Sequence, residues 1–227
     1  MSTQSWDFKD EKQVEEYIRN LEIEYSFHCY GEKSAEGCHR LAQYYETMKM
    51  DREKALNLYR KTCDEYNYGM SCNRLAKHMM RKALPATTEE IFHYHEKACD
   101  NGLNESCYSA ALMYMDKDYV GENTNLEKCL KLFNKGCDQN DARNCSKLGE
   151  IYRRGSHVDK DMTKSMNYHK KGCDLQSIRS CYNLSIMFKN GDGVEQSEKL
   201  AEQYSNIAKK LYDDKCRASN LKMSQDV

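Results

Sequence analysis

Ten of the twelve cysteines in this 227-residue chain stand in pairs. They bound five short segments: CYGEKSAEGC (29–38), CDEYNYGMSC (63–72), CDNGLNESC (99–107), CDQNDARNC (137–145) and CDLQSIRSC (173–181). Closely spaced thiols can exchange disulfides, hold zinc, or fasten two pieces of chain together. Zinc ribbons use pairs about two to four residues apart, and every pair here is wider, so no metal site is expected. The Cys-x-x-Cys of thioredoxin-like catalysis is absent, so no catalytic residue is named, although disulfide reductase activity stays open as the alternative. The leading reading is a staple. Each pair would sit at the end of one helix and the start of the next, where a turn brings the two Cα atoms within the roughly 4.4–6.8 Å that a disulfide spans. The expected bridges are Cys29–Cys38, Cys63–Cys72, Cys99–Cys107, Cys137–Cys145 and Cys173–Cys181. Cys129 and Cys216 are left over. Cys129 is expected as a small, inert core residue and Cys216 as a free thiol at the end of the last helix.

The elements that must position these cysteines repeat with them. The first cysteines lie 34, 36, 38 and 36 residues apart. Three residues after each second cysteine comes Leu41, Leu75, Ala110, Leu148 or Leu184, and four further on Tyr45, Met79, Tyr114, Tyr152 or Phe188. Four before each first cysteine stands Tyr25, Tyr59, His95, Phe133 or His169, and eight before it Leu21, Ala55, Ile91, Cys129 or Ser165. Steps of three and four mark one face of a helix. A helical pair at this period is the signature of an α-solenoid. The fold class expected is all-α: about five disulfide-stapled helix-turn-helix repeats behind an N-terminal capping helix. The capping helix covers about 11–29, and the pairs cover about 37–64, 70–100, 105–138, 143–174 and 179–214. Residues 1–215 would form a single array, with 216–227 a flexible tail and Trp6 and Phe8 covering the first helices.

Composition agrees. One proline and eleven glycines are too few for a strand-and-turn fold of this length. A net charge of -1 gives no pull toward nucleic acid, and no apolar run reaches the roughly 18 residues of a membrane span. Mean hydropathy is -0.95, so the core must be thin and distributed. The cysteine density suits an oxidising compartment, yet the start MSTQSWDFKDEKQVEEYIRN has neither an apolar h-region nor an Arg-rich presequence. The mitochondrial intermembrane space fits that combination, with reduced cytosolic thiols as the alternative.

The stretch CSKLGEIYRRGSHVDKDMTKSMNYHKKGCD resembles the Sel1-like repeat, a TPR-related helical pair, through Leu148, Gly149, Tyr152, Gly155, Asp161, Lys164, Tyr168 and Lys171. Gly191, Asp192, Gly193, Val194 and Ala201 repeat the match, and earlier units are more degenerate. With its N-terminal stretch DFKDEKQVEEYIRNLEIEYSFHCYGEKSAEGCHRL, the chain is similar to a mitochondrial group of cysteine-paired Sel1 arrays. That resemblance implies import by oxidative trapping in the intermembrane space. It also implies partners among the proteins of respiratory complex IV assembly and the oxidative import machinery. The family is further associated with haem binding and thiol–disulfide exchange. His78 with Met79 or Met80, and His95 with Met113 or Met115, are the conceivable axial sets, while no Cys-x-x-Cys-His offers covalent attachment. His95 and His169 share a repeat position where other units carry aromatics, so packing is the competing role. Bacterial relatives carry a β-lactamase label, but the lone Ser219-x-x-Lys222 lacks its partner motifs, and no such activity is expected. The function expected is a rigid interaction scaffold for complex IV assembly. Its partner face is placed on the first helix of each pair, near Arg40, Gln43, Arg74, Lys77 and Lys147; the alternative is a haem-binding thiol–disulfide reductase acting on copper-delivery factors.

Overall fold

A computed structural model describes residues 6–81, 84–120, 125–155 and 158–223. Every regular element among them is helical. The chain packs as two compact units, Met1–Leu103 and Asn104–Val227.

The first unit holds α1 (Glu11–Ser26), α2 (Ala35–Thr47), α3 (Arg52–Tyr66), α4 (Gly69–Met80) and α5 (Thr88–Asp100). α1 runs on into a π-helical turn, Phe27–Gly31, which carries Cys29. The wider turn shifts the register by one residue at the end of the helix that carries Cys29. α2 packs on α3 and α4 on α5 as helical hairpins. Trp6 and Phe8 both set their rings edge-on against Tyr17 of α1. The second unit holds α6 (Asn104–Met113), the short α7 (Lys117–Val120), α8 (Leu126–Asp138), α9 (Ala142–Arg154), α10 (Met162–Asp174), α11 (Ile178–Asn190) and α12 (Glu198–Met223). Its hairpins are α6 with α8, α9 with α10 and α11 with α12.

Helix starts follow side-chain chemistry. Asp10, Ser34, Asp51, Asn125, Asp141, Asp161 and Ser177 each accept a backbone N–H of the turn they open. Thr87 and Glu90 close a reciprocal capping box at α5. α9 and α11 stop at Gly155 and Gly191, both left-handed, a conformation that costs glycine little. Two boundaries differ from the pattern. Within the pair expected over 105–138, α6 ends at Met113 and is followed by the separate turn α7. The last helix continues to Met223, well past 215. Residues 216–223 of the expected tail are thus helical, and 224–227 lie outside the described residues.

The core is the pair of stripes read from the repeat. Leu41, Leu75, Ala110, Leu148 and Leu184 are wholly buried on the first helices of the pairs, and so are Tyr59, His95, Phe133 and His169 on the second. Such burial contributes about 1.5–3 kcal/mol for each large apolar side chain, a sum that must offset the ordering of a thin, two-layer array.

Candidate functional site

The cysteines lie at the hinges between hairpins. Cys29 bonds to Cys38, Cys63 to Cys72, Cys137 to Cys145 and Cys173 to Cys181, with Cα separations of 4.3, 4.8, 4.7 and 4.7 Å. Cys99 and Cys107 are also disulfide-bonded. All ten are buried, Cys173 being the most open at 7%. Chains that approach this closely need small neighbours. A Cβ on Gly37 would stand 2.6 Å from the Cβ of His28, where each residue precedes a bonded cysteine. In the next hinge, Thr62 and Ser71 take those two places and are both buried. Thiolate attack needs access to a sulfur, so burial makes these bridges poor substrates for exchange.

The Asp that follows most of the first cysteines also has a role. Lys97 Nζ donates to Asp64 Oδ1 at 3.2 Å, and Lys171 Nζ to Asp138 Oδ1 at 3.4 Å, each pair 33 residues apart. A lysine stands two residues before four of the five first cysteines, at Lys61, Lys97, Lys135 and Lys171. That recurrence was the available signal for a polar ladder joining successive repeats.

In the first unit a polar cluster forms around Glu46 on α2. Tyr59 Oη donates to its Oε2 at 2.8 Å, Arg74 Nε to the same oxygen at 3.1 Å, and His78 Nε2 lies 3.0 Å from Oε1. Burial alone would raise the Glu46 carboxyl, but the Tyr59 and Arg74 hydrogen bonds and the nearby charge hold it below the usual carboxylate range. Burial pushes His78 down and Tyr59 up, the latter beyond reach in ordinary buffers. The arrangement is a satisfied, charge-assisted network, and its chemistry is cohesion among α2, α3 and α4.

The five residues expected on a partner face are therefore not equivalent. Arg40 and Gln43 are exposed on α2, Arg40 pairing with Glu36 at 2.6 Å. Arg74 pairs with Glu46 at 3.1 Å and keeps 40% of its side chain exposed. Lys77 is half-buried on α4. Lys147 belongs to the second unit and lies 3.6 Å from Glu150.

The residues considered for haem do not fit it. His78 presents its Nε2 to Glu46 and stacks against Tyr59, with ring centroids 6.4 Å apart. His95 is wholly buried, its Nε2 3.2 Å from Met80 Sδ. Met79 and Met113 are both core residues, at 3% exposure. Each side chain already fills a packed position, and a macrocycle would have to displace the helix contacts around it. No group of three or more potential metal ligands occurs among the described residues.

The unpaired thiols differ. Cys129 is buried on α8, and desolvation pushes its thiol up to about 12 despite nearby Lys147, so the nucleophilic thiolate is suppressed. Cys216 is exposed on α12. The side chains of Ser219 and Lys222 lie outside the described residues.

Comparison with known proteins extends this picture. The Sel1 repeat family matches residues 35–67, 92–103, 104–141, 145–177 and 178–213. The unmatched stretch 68–91 spans α4 and the start of α5, where Met79 replaces the repeat aromatic. Cytochrome c oxidase assembly factor 7 of Danio rerio is 34% identical over 211 residues, covering 90% of this chain and 92% of the relative. Cytochrome c oxidase assembly factor 7A of Xenopus laevis is 32% identical over 168 residues, covering 71% and 73%. The human protein named cytochrome c oxidase assembly factor 7 is 30% identical over 164 residues, covering 69% and 71%. Among solved structures, a Sel1 repeat protein from Oxalobacter formigenes superposes with a TM-score of 0.64 at 15% identity, over 89% of this chain and 91% of that one. A protective antigen of uropathogenic Escherichia coli with an SLR fold gives 0.69 at 18% identity, over 85% of this chain but only 40% of that one. At such identities the structures share the fold alone.

Proposed function

Since this chain belongs to the Sel1 repeat family, and within it to the proteins that resemble cytochrome c oxidase assembly factor 7, we propose that it assists the assembly of respiratory complex IV. On this reading it acts as a disulfide-rigidified interaction scaffold in the mitochondrial intermembrane space, with residues 1–215 working as one array. The observation that carries the mechanism is the hinge chemistry: ten buried, bonded cysteines placed between hairpins rather than in an open site. Cross-links of this kind need an oxidising compartment. Fixing the geometry in advance lowers the ordering cost of binding. Arg40, Gln43, Arg74, Lys77 and Lys147 are the proposed contacts with assembly partners, and the oxidative import machinery is the proposed source of the bridges. No described helix is long and apolar enough to cross a membrane, which suits a scaffold that visits membrane complexes.

The test is made in cells that carry this chain. Its removal should lower assembled cytochrome c oxidase on native gels, and re-expression should restore it. The chain should resist protease in intact mitochondria and be degraded once the outer membrane is opened. Normal oxidase levels after removal would overturn the assembly role, and protection that survives outer-membrane rupture would overturn the compartment.

A further inference from the structure

The end of the second unit departs from the repeat. Phe188 and Tyr204 stack with centroids 5.6 Å apart, as Tyr152 and Tyr168 do at 5.7 Å, which sets α12 in register with α10 at a spacing of 36 residues. In that register Lys209 stands where a hinge cysteine would, and Ile207 where the ladder lysine would. α12 then continues to Met223 where α10 ends at Asp174. The overshoot walls a groove of about 830 Å3 within the unit, between α12 and the first turns of α9 and α11. Its floor is Ile178, Ile207 and Leu211. Ile207 is 37% exposed.

The rim is cationic. Arg143, Lys210 and Lys215 line the groove with a single carboxylate, Asp214. An adjoining cavity of about 260 Å3 shares Arg143 and Ser177 and adds Lys147 and Arg179. Asp141 pairs with Arg143 at 3.1 Å and Glu150 with Lys147 at 3.6 Å, which leaves the exposed Lys210 and Arg179 as the cationic excess of this track. The whole chain carries a net charge of only -1, so the excess is local. Two adjoining cavities suit an elongated ligand better than a compact one, and an apolar floor with a cationic rim selects for opposite charge beside apolar side chains.

We propose that this groove docks a short acidic, amphipathic segment of a partner protein, with apolar side chains on Ile178, Ile207 and Leu211 and carboxylates against Arg143, Arg179 and Lys210. The docking deepens the scaffold reading by naming the chemistry of one partner, but its test does not pass through oxidase assembly. A displayed library of random peptides, about 12 residues long, is selected on the oxidised full chain. The enriched sequences should combine Asp or Glu with Leu, Ile or Phe. Binding of the enriched peptides, read by fluorescence anisotropy, should weaken as salt rises from about 50 to 300 mM. It should also fall at least about tenfold in an R179E/K210E variant. Both substitutions are at exposed positions, and thermal unfolding checks that the variant is folded. A K54E/K61E variant in the first unit should bind as well as the parent chain. Failure to enrich any sequence, enrichment of basic or uncharged peptides, or acidic peptides indifferent to R179E/K210E would each overturn the groove. A chain that restores oxidase assembly yet fails this selection loses only the groove, while one that passes here but fails in cells loses only the assembly role.

Discussion

His169 shows what a histidine does when it takes a packing position that other repeats give to an aromatic. It is wholly buried on α10, and burial together with the Arg153 charge lowers its pKa to about 4. Its space is made by Gly149 on α9, where an added Cβ would stand 2.6 Å from the imidazole. The folded state therefore refuses a proton that the unfolded chain takes up near pH 6.5. Stability is full above that value and is lost as pH falls toward 4. The loss between pH 7 and pH 5 is about 2 kcal/mol for this residue. His39, buried beside Ser71 and also lowered to about 4, adds in the same direction. Phe133 occupies the equivalent place one repeat earlier, so H169F is the natural probe. Urea midpoints at the two pH values should converge in H169F relative to the parent chain. An unchanged pH dependence would mean that His169 is not the proton-refusing group.

At the scale of elements, the hinge is where helix propensity hands over to covalent constraint. Replacing Cys137 and Cys145 together by alanine removes the link between α8 and α9 while leaving Gly136 and Asn144 in contact. Closing a loop this short restricts the unfolded chain enough to stabilise by about 2–3 kcal/mol. The double variant should lose that amount in chemical denaturation and keep its helical circular dichroism. A loss below about 0.5 kcal/mol would show that packing alone holds the hinge. G149A tests the hairpin in the same way. Alanine favours the helix by about 1 kcal/mol, but its methyl would drive into His169, and overpacking of this kind costs about 1–3 kcal/mol.

For the whole molecule, the question is whether any bridge works rather than holds. With every bonded cysteine buried, all pairs should stay oxidised in glutathione buffers down to about -300 mV, mapped cysteine by cysteine with mass spectrometry. A single pair reducing near -200 mV would favour the reductase reading over the scaffold. The most open bonded cysteine residue is Cys173, so that pair is the one to watch.

Helix positions, the two core stripes and the cysteine pairs were legible in the amino-acid order because they recur at a fixed period, and each repeat reports on the others. Helix starts are local as well, since the Ser, Thr, Asp and Asn that cap them act within three residues. Contacts made once, between elements without a repeated spacing, were not legible. Glu46 meets Tyr59, Arg74 and His78 across separations of 13, 28 and 32 residues, and only the packing of α2, α3 and α4 brings these side chains together. The π-helical turn at Cys29, the division into two units and the run of α12 to Met223 were likewise decided by tertiary structure. Sequence by itself determined the repeat, because short-range hydrogen bonding and helical periodicity are local. The orientation of charges and the groove beside α12 depend on which faces meet, and that is settled only when the hairpins pack.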